Sequence, residues 1–404
     1  MMKPTSSSTR LRVLIGACLF QCALLGVLTN SSSVLFAHIR QELNLSLTQV
    51  STYHTIKGIA GALGGAALTS LFFRLKKPVF MGIMLFVVTL SFAVLIPGAQ
   101  YPWVWWVGGA LTGLSTCTSS VMLPFVLAQR FPDKPGTVTG IAMAFSGLGG
   151  MAFSPLCARL ITAAGWQNAT WIFSAITLAM GGAALLLLFA GTGGDGESAS
   201  PQTGGREKQA LASGFPVKKF LLCCTALMSS WFVLQFCNYV TMFAQDAGYS
   251  LHAGARLASV LMVGNVCGKL IFGYACDRMG VYRSMILTLS GIGLGGLLMV
   301  LFPHSIGILY LAMLLYGQVY GLAVISVSRC TMQTYGNEQA TRYMGLHTSI
   351  NSGLQAVSSI GVGQLYDHTG SFNAQLLLGI GLIACSIGAC LTLSAMKRRA
   401  LALR

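Results

Sequence analysis

The sequence is poor in acid. Only nine of its 404 residues are Asp or Glu, against 25 Lys and Arg, and charged residues of both signs make up 8%. A soluble globular domain carries roughly 25% charged residues, so the shortage excludes a soluble domain of useful size. No CxxC pair occurs among the twelve cysteines, which are scattered through apolar stretches such as those around Cys18, Cys22, Cys117, Cys157, Cys237 and Cys267. That scatter excludes a disulfide frame and a thiolate metal site, and the thiols read as small buried apolar groups. HExxH, paired intramembrane aspartates and a nucleophile–base pattern are also lacking, which argues against a membrane-embedded enzyme. Neither a cofactor nor a metal is expected.

What the chain has instead is apolar length. Hydrophobic residues make up 54%, and they fall into twelve runs, each near the roughly 20 residues needed to cross a bilayer. Their limits are 11–36, 47–72, 78–97, 102–128, 137–163 and 166–191 in the first half. In the second half they are 218–244, 253–276, 283–302, 306–329, 342–365 and 374–396. The first run follows basic residues as a signal peptide would, but it continues to Phe36 without a small-x-small cleavage site. The pattern predicts an all-α membrane protein with lipid as its solvent.

Between runs six and seven lies a Gly-, Ser- and charge-rich stretch, Gly191–Pro216. It predicts a flexible linker, residues 191–216, between six-helix bundles at 1–190 and 217–404. The net charge of +16 is carried in short loops. Arg74, Lys76, Lys77, Arg130, Lys208, Lys219, Arg278, Arg283, Arg329, Lys397 and Arg398 all fall on one side, leaving little beyond Arg40, Arg159 and Arg256 on the other. This asymmetry places both termini and the linker in the cytoplasm, for a monomer in the plasma (inner) membrane, and gives no reason to expect a nucleic-acid partner.

All nine acids fall at helix ends or in loops: Glu42, Asp246 and Asp367 outside, and Asp133, Asp195, Glu197, Glu207, Asp277 and Glu338 inside. Two lysines lie within apolar runs, Lys57 and Lys269. An intramembrane cation costs roughly 2.5–3.5 kcal/mol on insertion scales and marks a site by default. Lys269 is nine residues before Arg278, so about 13 Å from the cytoplasmic border and near the midplane of a ~30 Å core. Lys57 is seventeen residues before Arg74, about 25 Å from that border and in the outer third. Lys269 is therefore the expected main contact for a small organic anion, and Lys57 an entrance residue. The competing readings are a Lys57 that snorkels to the interface and a Lys269 bonded to helix carbonyls.

Other polar groups share helix faces: Tyr53, His54 and Lys57; Gln235, Asn238 and Tyr239; Tyr316 and Tyr320; and His347, Asn351 and Gln355. They are candidate cavity residues, although such pairs also serve as helix–helix glue. With no central carboxylate, coupling is expected by anion exchange, by facilitated diffusion, or with a proton carried by His54 or His347.

The halves share a faint repeat: setting Arg74 against Arg278 aligns Gly64 with Gly268 and Met81 with Met285. Gly273-x-x-x-Asp277-Arg278-x-Gly280-x-x-Arg283 matches the cytoplasmic loop motif G-x-x-x-D-R-x-G-x-x-[RK]. On these features the chain resembles the major facilitator superfamily, which implies two parallel six-helix repeats, with Gly273, Asp277, Arg278, Gly280 and Arg283 acting in gating. Run five, from Gly140 through Ser146, Gly149, Gly150 and Pro155 to Gly165-Trp166, resembles the monocarboxylate transporter and oxalate–formate antiporter branch. So does Gly363-Gln-Leu-Tyr366-Asp367-His-Thr369-Gly370-Ser371. The resemblance implies a carboxylate-binding cation in run eight. Lys269 stands there in place of arginine, and run eleven offers only neutral His347, Asn351 and Gln355 in place of a second cation, which favours a single carboxylate. A multidrug or other organic-solute exporter of the same fold is the alternative.

Overall fold

The computed structural model describes residues 7–131, 135–189, 217–335 and 337–402. The expected linker, residues 191–216, lies outside the described residues. Within them the first half contains α1 (Ser7–Gln21), a π-helical segment (Cys22–Thr29), α2 (Ser32–Leu43), α3 (Leu47–Arg74) and α4 (Lys77–Ala93). It continues with α5 (Pro102–Cys117), a second π segment (Thr118–Met122), α6 (Leu123–Arg130) and α7 (Pro135–Phe189). The second half contains α8 (Val217–Phe236), α9 (Val240–Asp246), α10 (Leu251–Met279) and α11 (Val281–Leu301). It ends with α12 (Ile306–Tyr316), α13 (Val319–Tyr335), α14 (Asn337–Thr369) and α15 (Asn373–Ala402). As far as they are described, the twelve expected runs each fall on a helix or on helices joined end to end, and the described residues hold seven stretches long and apolar enough to cross a membrane.

Local chemistry sets the helix limits. The Ser46 hydroxyl accepts from the Gln49 N–H at the start of α3, and Ser250 does the same for Ala253 at the start of α10. Each satisfies one of the first-turn donors that a helix leaves without a partner. The fifth and sixth expected runs are the two helical stretches of α7, which meet at Gly165, a non-helical residue whose φ of 80° only glycine adopts freely. The Trp166 indole beside that bend donates to Glu42 (3.1 Å). Gly280, also at φ 80°, separates α10 from α11.

Apolar burial alone does not hold helices together in lipid, so close backbone contact and hydrogen bonds do that work. A Cβ added to Gly26 would lie 2.7 Å from the Gly149 Cα, joining the first π segment to α7. One added to Gly317 would lie 3.0 Å from the Gly264 Cα, joining α12 to α10. The two halves meet chiefly along two seams, α3 on α14 and α7 on α10, with α2 also touching α9 and α10. Hydrogen bonds across the α3–α14 seam gather toward the end that carries Asp367, and those across α7–α10 run down to Lys269.

Candidate functional site

Four of the expected runs break where polar residues sit in mid-chain. In the first, the π segment ends at Thr29, and the Asn30 N–H bonds back to the Leu25 carbonyl (2.7 Å). In the seventh, the chain turns through Cys237–Tyr239 between α8 and α9, held by 3₁₀-type bonds such as Tyr239 N–H to Phe236 O (2.8 Å). In the tenth, Gly317–Gln318 separates α12 from α13. The π segment Thr118–Met122 interrupts the fourth. Irregular backbone at membrane depth is tolerated where it lines a cavity or is buried in protein.

Two of these breaks, at Thr29–Asn30 and Cys237–Asn238, line one cavity of about 130 Å³, which Tyr320, just past the break in the tenth run, also lines. The first half contributes Thr29, Asn30, Ser32, Ser33, His54 and Lys57, and the second half Leu234, Gln235, Cys237, Asn238, Tyr320 and Gln355. Among these lining residues Lys57 is the one cation, and none is a carboxylate. No hydrogen-bond or ion-pair partner of the Lys57 ammonium is found among the described residues. One turn earlier the His54 imidazole is buried, with Nε2 unpaired, against the rings of Phe36, Tyr53 and Tyr239 at 5.8, 5.3 and 5.7 Å between centroids. Amides complete the wall. Asn30 donates to the Ser146 carbonyl (2.7 Å), and Asn238 to Gln235 Oε1 (3.2 Å).

Of the residues expected at the site, the structure brings together His54, Lys57, Asn238, Tyr320 and Gln355. It places others elsewhere. Lys269 does not line this cavity. Its Nζ points at the Met143 carbonyl of α7 (3.4 Å), the carbonyl-bonded arrangement the sequence had left as its competing reading. Tyr53 bonds Thr112 Oγ1 (2.6 Å) in the packing of α3 on α5, and Tyr316 donates to the Val233 carbonyl (3.1 Å). Tyr239 stands behind His54, its ring stacked on Phe372 at 6.2 Å. His347 is stacked on Phe220 (4.8 Å) with Nδ1 3.4 Å from Cys224 Sγ. These side chains hold helices together. The side chain of Asn351 is not among those described.

Counting from the other end of α3 gives a different depth for Lys57. α3 has 28 residues, about 42 Å of helix, longer than a ~30 Å core. Measured from Leu47, Lys57 is only about 15 Å along the helix. The sequence reading also passed over Thr29, Asn30, Ser32 and Ser33. Its available signal was Thr29-Asn30-Ser31-Ser32-Ser33, five polar residues in a row inside an apolar run.

The motif residues lie at the opposite end of the bundle from Asp367. Asp277 pairs with Arg329 of α13 (3.4 Å), and the Arg278 guanidinium lies over the Tyr274 ring (5.1 Å). Both charges of the pair are exposed, so its net worth is about 0–1 kcal/mol and it can be broken and remade. Gly280 makes the turn, and Val281 N–H then donates to Gln333 Oε1 (3.0 Å). Gly273 has open space where a Cβ would stand, and Arg283 is exposed.

Comparison with known proteins agrees with this architecture. Residues 18–359 match the family model of the Major Facilitator Superfamily. Monocarboxylate transporter 12 of Rattus norvegicus is 28% identical over 313 residues, 69% of this chain and 64% of that protein. The chain thus spans just under two thirds of that relative's length. The uncharacterized transporter YycB of Bacillus subtilis (strain 168) is 23% identical over 304 residues, covering 73% of this chain and 72% of its own. The solved structure of the nucleoside transporter NupG superposes with a TM-score of 0.68 at 13% identity, over 96% of this chain and 98% of that one. The E. coli fucose:proton symporter FucP gives 0.58 at 15%, over 95% and 99%. At such identities the structures attest the fold alone. A helical chain with its polar cavity at helix breaks between two halves, matched by the family model over most of its length, is a multi-pass membrane protein and belongs to the Major Facilitator Superfamily.

Proposed function

We propose that the protein moves a small organic anion, most simply a monocarboxylate, by alternating access, with Lys57 as the main charge contact. The observation that carries this reading is the Lys57 ammonium in a cavity that lacks any lining carboxylate. A buried cation without a counter-charge is costly, and an anion that binds beside it relieves that cost. Asn238, Gln355, Tyr320 and the Ser32–Ser33 hydroxyls then supply directional bonds. The monocarboxylate transporter 12 relatives support the substrate class. In this reading twelve helices form two six-helix bundles, residues 1–190 and 217–404, in a monomer of the plasma (inner) membrane. The Asp367 end faces outward, and both termini face the cytoplasm.

The purified full chain is tested by thermal shift against formate, acetate, pyruvate, lactate, benzoate and oxalate. A ligand of the native state raises stability with its concentration. Stabilisation by monocarboxylates that disappears in Lys57→Gln is the expected result. Equal stabilisation of both proteins removes Lys57 from the site. A neutral polar solute is the second reading, favoured by the amides Asn30, Gln235, Asn238 and Gln355 in the wall. NupG and FucP are named for neutral solutes. Stabilisation by nucleosides or sugars that survives Lys57→Gln would select it.

A further inference from the structure

The segment Gly363–Ser371 carries a sequence pattern and takes no part in the cavity. Its residues make contacts at one end of the molecule, and the main ones cross between the halves. The Asp367 carboxylate accepts from the backbone N–H of Leu47 with one oxygen and of Thr48 with the other, both at 2.9 Å. These are first-turn donors of α3, which have no acceptor within their own helix and sit at its positive pole. Ser46 takes the next one, Gln49. One turn before Asp367, Gly363 lies against α3 so closely that an added Cβ would stand 2.7 Å from the Thr48 Cα. Further along the same seam Ser359 Oγ donates to the Ser51 carbonyl (3.0 Å), and Thr55 Oγ1 donates to the Ala356 carbonyl (3.3 Å).

The neighbouring residues hold this arrangement in place. The Tyr366 hydroxyl donates to Asp246 Oδ2 (2.6 Å), and its ring lies under the Arg40 guanidinium of the first half (4.7 Å). Gln245 donates to Gln41 across the same boundary (2.9 Å). After α14, Gly370 at φ 66° turns the chain, Thr369 Oγ1 donates to the Ser371 carbonyl, and Ser371 Oγ accepts from the Asn373 N–H to start α15. The pattern thus reads as a helix end built to aim one carboxylate at another helix.

We propose that Gly363–Ser371 is a latch that closes the Asp367 end, with Asp367 capping α3 only while that end is shut. The Asp367–Thr48 and Tyr366–Asp246 bonds are exposed to water, so each contributes modestly and can be exchanged for water in every cycle. The cavity lies beyond the latch, and Cys237, which lines it, is 3% exposed in this closed arrangement. The proposal rests on alternating access, not on the anion.

Two variants open the latch by different routes. Asp367→Asn removes the charge and one acceptor, and Gly363→Ala places a methyl against the Thr48 backbone. In hydrogen–deuterium exchange of the purified full chain, each should raise exchange in the first turn of α3 by about tenfold. In intact cells, each should also raise labelling of native Cys237 by a membrane-impermeant maleimide added outside, read by peptide mass spectrometry, severalfold. Both variants should melt near the wild-type temperature. Unchanged exchange and unchanged labelling in two folded variants overturns the latch. Faster exchange at α3 without any gain at Cys237 reduces Asp367 to a fixed helix cap and also overturns it. Neither readout involves a substrate, so a failed anion assay leaves this result standing, and the reverse holds too.

Discussion

Lys57 and Lys269 look alike in the chain. Each is a lone cation in an apolar helix, and each lies where a glycine from another helix meets its backbone: Gly113 of α5 at the Lys57 carbonyl, and Gly321 of α13 at the Lys269 nitrogen. They differ in what the ammonium meets. Lys269 faces the Met143 carbonyl on the seam of α7 and α10. Lys57 faces a cavity walled by hydroxyls and amides. Neither lysine has a counter-charge among the described residues, but only Lys57 stands at a cavity with room for an anion to supply one. The comparison teaches that depth along a helix does not say which face the helix presents to a break in its neighbours.

The largest effect belongs to Lys57→Gln. It should lower anion affinity at least about tenfold, since a charge-assisted bond contributes about 1.5–3 kcal/mol. Titration by thermal shift or radioligand binding reads this directly, and wild-type affinity would break the comparison. Next come the two glycines. Gly113→Val and Gly321→Val should each destabilise the fold by about 1–3 kcal/mol through overpacking against backbone, read as lower melting temperatures. A much smaller loss at Gly113 would mean that α3 can shift and that the Lys57 position is adjustable.

Asn238→Ala removes one neutral partner at the cavity and should weaken binding severalfold, in keeping with about 1 kcal/mol for a neutral hydrogen bond. Lys269→Gln keeps a donor for the Met143 carbonyl, and uptake kinetics should stay within about threefold of wild type. A loss as large as that of Lys57→Gln would return Lys269 to the substrate path.

The smallest effect concerns pH at the Asp367 end. Burial raises the Asp246 carboxyl above its ordinary value, opposed by the Tyr366 hydroxyl bond and the Arg40 charge. The closed arrangement therefore holds a proton on Asp246 more tightly than a solvated carboxyl does. Lowering the outer pH through that raised value should favour closure, and raising it above should remove the preference. Cys237 labelling against outer pH should show a shallow rise on the alkaline side that Asp246→Asn flattens.

The all-helical membrane class, and the superfamily through Gly273–Arg283, could be read along the chain, because hydrophobic length and loop charge are local quantities. The polar runs were legible as well: Tyr53–Lys57 and Gln235–Tyr239 stand out against apolar sequence, and Thr29–Ser33 was visible but passed over. The helix interruptions inside runs were not legible. Nothing local says that the seventh run turns at Cys237–Tyr239, since that depends on neighbours that satisfy or crowd the backbone, whereas the break at Gly165 between the fifth and sixth runs was legible.

Sequence by itself determined what must be buried in lipid, which loops are charged, and that a cation would lie without a nearby acid. Those follow from transfer free energies of single residues, which do not depend on the partner. Tertiary structure alone decided which lysine has an open cavity before it, which tyrosines and histidines pack helices, and that Asp367 reaches the first turn of α3 from 320 positions away. Those are contacts between helices distant in sequence, and their energies exist only once the backbones have come within a few ångströms of one another.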